Sequence, residues 1–83
     1  MSYIVYILQS KACQKFYTGQ TQNIVNRLVE HNARETKSIS SCIPWSLVWK
    51  TELSTRSEAM ILEKKIKSRG ASRFLADIGI TIN

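Results

Sequence analysis

The sequence predicts an α+β fold in which helices flank a three-stranded antiparallel sheet, with the order β-β-α-β-α-α in one domain spanning residues 1–83. Three observations predict this class. The run of Tyr, Ile, Val and Leu from Tyr3 to Leu8 is typical of a strand covered on both faces. Ser46 to Leu53 alternates as a strand with one partly wet face does. Helical periodicity and capping residues mark the segments between and after these strands.

The first two strands are predicted to form a hairpin. The apolar run from Tyr3 to Leu8 is followed by the polar segment Gln9 to Gln14, and a second strand extends from Lys15 to Gly19. A short polar connection between two strand-like runs favours antiparallel pairing.

A helix is predicted from Gln22 to Asn32, with Thr21 as its N-cap. Its apolar side chains share one side, namely Ile24, Val25, Leu28 and Val29. The following segment, Ala33 to Pro44, has no periodicity and is rich in Ser, Lys and Thr, so a long surface loop is expected there.

The third strand is predicted to have two distinct faces. One face carries Leu47, Trp49, Thr51 and Leu53, and the other carries Val48, Lys50 and Glu52. A second helix follows from Thr55 to Gly70, since Thr55 and Glu58 form a capping box and Gly70 supplies a C-terminal stop. A short terminal helix, Ser72 to Ile78, should end at Gly79.

Glu63 is out of place in the second predicted helix. It falls among apolar residues that share a face at three- and four-residue spacing, namely Ala59, Leu62 and Ile66. Burying an unpaired carboxylate costs several kcal/mol or forces it to take up a proton, so Glu63 should meet a cation. From the pattern alone, that cation is an arginine or a metal ion, and a protonated core residue stays open.

The chain is strongly basic. It has 12 Lys and Arg against 6 Asp and Glu, a net charge of +6. Five of the bases lie between residues 64 and 73, namely Lys64, Lys65, Lys67, Arg69 and Arg73. A polyanionic partner explains this run, and a solvated helix face explains it as well.

Cysteine usage indicates no disulfide framework. Cys13 and Cys42 are widely spaced and follow no signal peptide, so both are expected to be reduced thiols in a cytoplasmic protein. The single histidine, His31, cannot complete a zinc site with the usual pair spacing. No apolar run approaches the length of a membrane span.

Several further residues could carry chemistry. Arg27 and His31, four apart on the first predicted helix, project from the edge of its apolar side. Tyr6 and Tyr17 lie in the first two strands, and Gly19 follows Tyr17. Taken one at a time, these are an ordinary surface arginine, a boundary histidine, two packing tyrosines and a glycine that lets the chain bend or a ligand approach.

Taken in order, these residues resemble the motif set of the GIY-YIG nuclease family. The first motif appears as Ile4-Val5-Tyr6 and the second as Tyr17-Thr18-Gly19; Arg27 with His31 and the segment Leu62 to Lys67, which contains Glu63, come next. The chain is most similar to the small stand-alone bacterial members, which are like the N-terminal domain of the excision nuclease. Typical of that group are Ser57-Glu58-Ala59, Glu63 to Lys67 and the pair His31-Asn32.

The resemblance implies a metal-dependent endonuclease that hydrolyses DNA phosphodiester bonds, in DNA repair or recombination. It implies that Glu63 holds one divalent cation, Mg²⁺ or Mn²⁺, and that Arg27 contacts the scissile phosphate. Tyr6 would activate water with help from Tyr17, provided that positive charge favours the phenolate. His31 would hydrogen-bond Tyr6 or the phosphate.

The same resemblance implies backbone contacts to DNA, with structure preferred over sequence, through Gly19 and the basic run. Ile4, Val5 and Thr18 depart from the family motifs, and the loop 33–41 lacks the glycines and tyrosine often found in relatives. Two rivals remain: a nucleic-acid-binding module of the same fold with little catalysis, and a protein-interaction subunit using Trp45, Trp49 or the terminal helix. A protein partner or a homodimer is left open.

Overall fold

The computed structural model describes residues 2–32 and 42–80, and it confirms the predicted α+β class and element order. The elements are β1 (Tyr3–Ser10), β2 (Lys15–Thr21), α1 (Ile24–Asn32), β3 (Trp45–Leu53), α2 (Arg56–Arg69) and α3 (Ala71–Asp77). Most of the predicted loop, residues 33–41, lies outside the described residues. None of the described helices is long and apolar enough to cross a membrane.

The sheet has the order β2-β1-β3, and both pairings are antiparallel. The apolar run of β1 is therefore the central strand, as its composition indicated. In the register, Tyr6 lies opposite Gly19 on β2 and opposite Lys50 on β3. β2 and β3 are the edge strands of this sheet.

The predicted alternation of β3 is wrong at its centre. Ile7 pairs with Trp49 while Leu8 pairs with Leu47, so Val48 is an extra residue in a bulge. Trp49 consequently packs with the core under α2 and α3, whereas Leu47 packs on the opposite face. One inserted residue changes which face every later side chain occupies, and a period of two cannot reveal it.

Each face of the sheet has its own core. Val5 and Ile7 pack against α2 and α3 through Ala59, Ile66, Phe74 and Leu75. Ile4, Tyr6 and Leu8 face the other way and pack with Cys42, Trp45 and side chains of α1, among them Ile24 and Leu28. This alternation of β1 places Tyr6 on the α1 face and leaves α2 on the opposite face.

The expectation of reduced thiols is wrong, because Cys13 and Cys42 form a disulfide. Ser10 ends β1 and pairs with both Lys15 and Trp45, so the turn after β1 and the segment before β3 meet at one end of the sheet. The buried Ser10 hydroxyl donates to the Cys42 carbonyl and accepts from the Cys13 N–H at 3.1 Å. Cysteine spacing carries no information on this proximity.

The first helix differs from its prediction at its start and on its outer side. Asn23 is the residue that caps it, since its side-chain oxygen accepts from the Asn26 N–H at 3.0 Å. Thr21 instead accepts from the Asn23 N–H in the preceding turn. Val25 and Val29, predicted to face the core, are 69% and 62% exposed. The core-facing stripe of α1 is therefore narrower than the apolar pattern indicated.

The capping signals of α2 are confirmed. The Thr55 hydroxyl accepts from the Glu58 N–H at 3.2 Å, and Gly70 ends the helix with a positive φ of 93°. α3 begins one residue earlier than predicted and ends at Asp77. Between these ends, Ala59 and Ile66 pack α2 against β1, and Glu63 lies between these two residues on the helix.

Candidate active site

Tyr6 and Gly19 form the centre of the site. The Tyr6 ring lies across Gly19, because a Cβ at Gly19 would be 2.7 Å from the Tyr6 hydroxyl and 2.9 Å from its Cζ. The same Cβ would be 3.2 Å from Cε1 of Tyr17. Gly19 thus has a packing function that the sequence did not reveal: its missing side chain makes room for the two tyrosines.

His31, in the last turn of α1, completes an aromatic cluster with the tyrosines. Its ring centroid is 4.9 Å from that of Tyr17, in an edge-on arrangement, and its Nε2 is 3.2 Å from the Tyr6 hydroxyl. Trp45 packs edge-on against Tyr17 at 6.2 Å. The Tyr6 hydroxyl is one of the two partners predicted for His31, and the contact to phosphate stays a prediction.

His31 is only 2% exposed, and burial lowers the pKa of its imidazole, with the charge of Arg27 adding to the effect. The ring is therefore neutral at neutral pH. Nδ1 is buried without a hydrogen-bond partner in the part of the chain that the structure describes. A neutral imidazole whose Nε2 meets a hydroxyl is suited to accept a proton from it.

Tyr6 is a neutral phenol in this environment. Burial raises the pKa of Tyr6 well above its usual range, and Tyr17 and Glu63 raise it further. Arg27 opposes the rise through its charge and a hydrogen bond to the Tyr6 side chain, without reversing it. The local excess of positive charge thus does not by itself favour the phenolate that a basic Tyr6 requires.

Arg27 lies on α1 beside the Tyr6 hydroxyl and is partly exposed. Its guanidinium forms an ion pair with Glu30 at 3.3 Å, and both side chains are about two-fifths exposed. It also lines an open cavity of about 390 Å³ at the edge of the sheet. An exposed ion pair of this kind is weak, so Arg27 remains available to an anion in the cavity.

Glu63 has two partners. Its Oε1 accepts a hydrogen bond from Nε2 of Gln20 at 3.0 Å, and its Oε2 is 2.7 Å from Nζ of Lys67. The carboxylate is 18% exposed, whereas the Lys67 side chain is 57% exposed. The protein cation beside Glu63 is thus a lysine one helical turn away, not the arginine that the pattern allowed for, and the metal ion stays a prediction. Gln20, which was not predicted as a site residue, extends β2 beyond the predicted strand end.

Glu63 and the tyrosines approach the edge strand β2 from opposite faces of the sheet. Gln20 pairs with Val5, which faces α2, whereas Tyr6 faces α1. The cavity lined by Arg27 and a second one of about 260 Å³ lined by Glu63 share Gln20 and Met60. The structure therefore brings Arg27 and Glu63 onto one surface. The two tyrosines do not line these two cavities, and Tyr6 adjoins the first of them through Arg27.

The basic run is divided among different surroundings. Lys64 and Lys67 line the cavity beside Glu63, while Arg69 is engaged by Asp77 through two hydrogen bonds of 2.8 and 3.0 Å. Lys65 and Arg73 are exposed. Only part of the run is thus close to the site, because a helix spreads consecutive residues around its axis.

In the described part of the chain, Glu63 is the one carboxylate that lines either of these two cavities. No group of three or more His, Cys, Asp or Glu side chains that could hold a metal occurs among residues 2–32 and 42–80. Glu63 beside an open cavity fits an ion such as Mg²⁺, which keeps several waters and takes one or two carboxylates plus phosphate oxygens. It does not fit a closed cage of protein ligands.

Comparison with known proteins agrees with this geometry. The model of the GIY-YIG catalytic domain matches residues 2–74. The chain belongs to the GIY-YIG family. No curated protein sequence matches it significantly.

The GIY-YIG assignment extends to a solved structure. The solution NMR structure of the UPF0213 protein BH0048 from Bacillus halodurans is 27% identical to the chain, with a TM-score of 0.59. The match covers 95% of this chain and 86% of that one. This GIY-YIG domain is therefore similar in fold and extent to a small bacterial protein.

Proposed function

We propose that this GIY-YIG domain is a divalent-metal-dependent endonuclease that hydrolyses DNA phosphodiester bonds in repair or recombination. One observation carries the proposal: Arg27 and Glu63 line adjoining cavities that share Gln20 and Met60. The Arg27 guanidinium can bind phosphate oxygens, and the Glu63 carboxylate can hold a hard cation. On adjoining cavities, both groups act on the same DNA strand. Membership of the family supports the choice of a nuclease.

In this proposal, Arg27 leaves Glu30 and binds two oxygens of the scissile phosphate with its planar fork. Glu63 holds one Mg²⁺ or Mn²⁺ ion, which supplies charge stabilisation to the phosphate when bound. Lys67 occupies Oε2 of Glu63 and is more than half exposed, so it swings into solvent and becomes a contact for the DNA backbone. Lys64 lies beside it in the same cavity.

The proton of the attacking water passes to Tyr6 in the same proposal. Because burial raises the pKa of Tyr6, a free phenolate is costly. The hydroxyl instead passes its own proton to Nε2 of His31, 3.2 Å away, as the phenol oxygen accepts the proton of the water. The imidazolium that results is disfavoured by burial and by the charge of Arg27, so it exists only until the proton is returned. Tyr17, edge-on to His31, holds its ring.

A second candidate is a nucleic-acid-binding module with little catalysis. Two observations favour it: Tyr6 is 1% exposed, and both oxygens of Glu63 already have protein partners. Under this alternative, binding weakens with salt while no cation yields cleaved product.

A cleavage screen separates the two functions. Purified protein is incubated with duplex, single-stranded and branched DNA in the presence of Mg²⁺ or Mn²⁺. The nuclease proposal predicts cutting by the wild type and a large loss in Arg27→Lys, since lysine keeps the charge but not the fork. Binding without cutting in every metal supports the module instead.

The proposal also includes a cytoplasmic location. The Cys13–Cys42 disulfide counts against that location, because such bonds are rare in cytosolic proteins.

A further inference from the structure

The cavity lined by Arg27 contains a second guanidinium, that of Arg56, which the sequence motifs do not include. Arg56 is the first residue of α2 and is exposed. Its Cζ lies 6.0 Å from the centroid of the Tyr3 ring. A guanidinium above an aromatic face is held in place by attraction to the ring and keeps its N–H donors free for another group.

Among the described residues, Arg56 forms no ion pair, whereas three other bases of the chain do. Arg27 pairs with Glu30, Lys67 with Glu63 and Arg69 with Asp77. Within residues 2–32 and 42–80, Arg56 has no carboxylate partner. Two guanidiniums therefore border one cavity of about 390 Å³, a size typical of small-ligand sites. Planar, multiply donating cations at a concave surface are suited to phosphate oxygens.

The shape of the surface favours a strand over a lone phosphate. This cavity adjoins the one lined by Glu63, Lys64 and Lys67, since the two share Gln20 and Met60. The result is an extended groove with arginines at one end and lysines at the other. An extended polyanion can contact both ends at once, whereas a single phosphate occupies one of them.

We propose that Arg56 is a nucleic-acid contact that binds a second backbone phosphate of the strand held by Arg27, and that Tyr3 positions its guanidinium. The inference deepens the proposed function, on which it rests for the contact at Arg27. Arg56 takes no part in the chemistry. It determines where along the strand the domain is placed.

Binding of a short fluorescein-labelled single-stranded oligodeoxynucleotide, measured by anisotropy without divalent metal, tests the inference separately from cleavage. Arg56→Gln should weaken binding about three- to tenfold. The fall of log affinity with log salt should become shallower by about 0.7, which corresponds to the loss of one phosphate contact. Lys11→Gln, which removes one charge from the exposed turn after β1, is the matched control. Equal effects of the two substitutions would overturn the proposal.

Tyr3 variants test the positioning of the Arg56 guanidinium, and free phosphate tests whether the ligand is a strand. Tyr3→Phe keeps the ring and should bind as the wild type does, whereas Tyr3→Leu should bind more weakly with an unchanged salt slope. Inorganic phosphate, followed through the Arg56 side-chain NMR signal, should shift that signal far less than the oligonucleotide at equal phosphate concentration. Equal shifts would show a free-anion site and overturn the strand assignment. If the wild type binds as expected but never cuts DNA, only the nuclease proposal fails.

Discussion

Replacing Gly19 by alanine tests the packing on which the tyrosine cluster depends. The new methyl group would lie 2.7 Å from the Tyr6 hydroxyl, 2.9 Å from Tyr6 Cζ and 3.2 Å from Tyr17 Cε1. The two shortest distances force an atom to move. Tyr6 is 1% exposed, so its ring cannot swing into solvent without moving its neighbours. The substitution should therefore separate the Tyr6 ring from β2.

Opposing effects set the size of the change in the free energy of unfolding. Alanine in place of a strand glycine favours folding by about 0.5–1 kcal/mol. Overpacking a filled site costs about 1–3 kcal/mol. Displacing Tyr6 also removes its hydrogen bond to His31, whose net value is about 0.5–1.5 kcal/mol. We expect a net loss of stability of about 2 kcal/mol.

Urea denaturation of four proteins measures this effect: the wild type, Gly19→Ala, Tyr6→Phe and the double variant. Tyr6→Phe deletes the atom at 2.7 Å, so Gly19→Ala should cost less in that background, and the difference gives the coupling energy. A Gly19→Ala protein as stable as the wild type, or an equal cost in both backgrounds, would refute the reasoning.

Three further predictions concern protons, metal and the disulfide. Burial lowers the pKa of His31, so the unfolded chain binds the proton more tightly than the folded protein does. The free energy of unfolding should therefore fall as the pH drops below about 6.5. In His31→Gln, the urea midpoint should change less between about pH 7.5 and pH 5.5 than it does in the wild type. Lys67→Met should strengthen Mn²⁺ binding a few-fold in calorimetry, since Lys67 competes weakly with the ion for the Glu63 carboxylate. Glu63→Gln should abolish Mn²⁺ binding. Unchanged affinity in Lys67→Met would exclude competition between Lys67 and the ion. Cys13→Ser should be about 3–4 kcal/mol less stable than the oxidised wild type, given the 29-residue separation from Cys42. Dithiothreitol should remove most of this difference. Equal urea midpoints of the two proteins without reductant would contradict the disulfide.

Local signals in the sequence predicted the fold well. The apolar run of β1 identified the central strand, because a strand covered on both faces carries apolar residues at successive positions. The capping box at Thr55 and Glu58 and the stop at Gly70 placed α2 within one residue at each end. Each of these features is set by neighbours along the chain, which a sequence shows directly.

Features that depend on distant residues were missed. The bulge at Val48 arises from pairing with β1, and the Cys13–Cys42 bond arises from two loops that meet at one end of the sheet. The exposed side of α1, at Val25 and Val29, depends on how much of the helix the sheet covers. None of these leaves a periodic or local signal.

The candidate site was predicted in part. The ordered set that includes Tyr6, Arg27 and Glu63 was identified, as was the need of Glu63 for a cation. The partners that shape the site were not: Gln20 and Arg56 are ordinary polar residues until the register of β2 and the start of α2 bring them to one groove. The burial that raises the pKa of Tyr6 also follows from packing, which no motif encodes.

A comparison of supercoiled-DNA nicking by two separate variants, Glu63→Gln and Glu52→Gln, tests most directly the claim that Glu63 holds the metal ion of a nuclease. Both substitutions remove one carboxylate, but Glu52 is an exposed residue of β3, on the opposite edge of the sheet from β2. With Mg²⁺, the wild type and Glu52→Gln should nick at equal rates, and Glu63→Gln should bind the DNA without nicking it. Equal nicking by Glu63→Gln, or none by the wild type in any divalent metal, would contradict the assignment of Glu63 as the metal-holding residue of a nuclease.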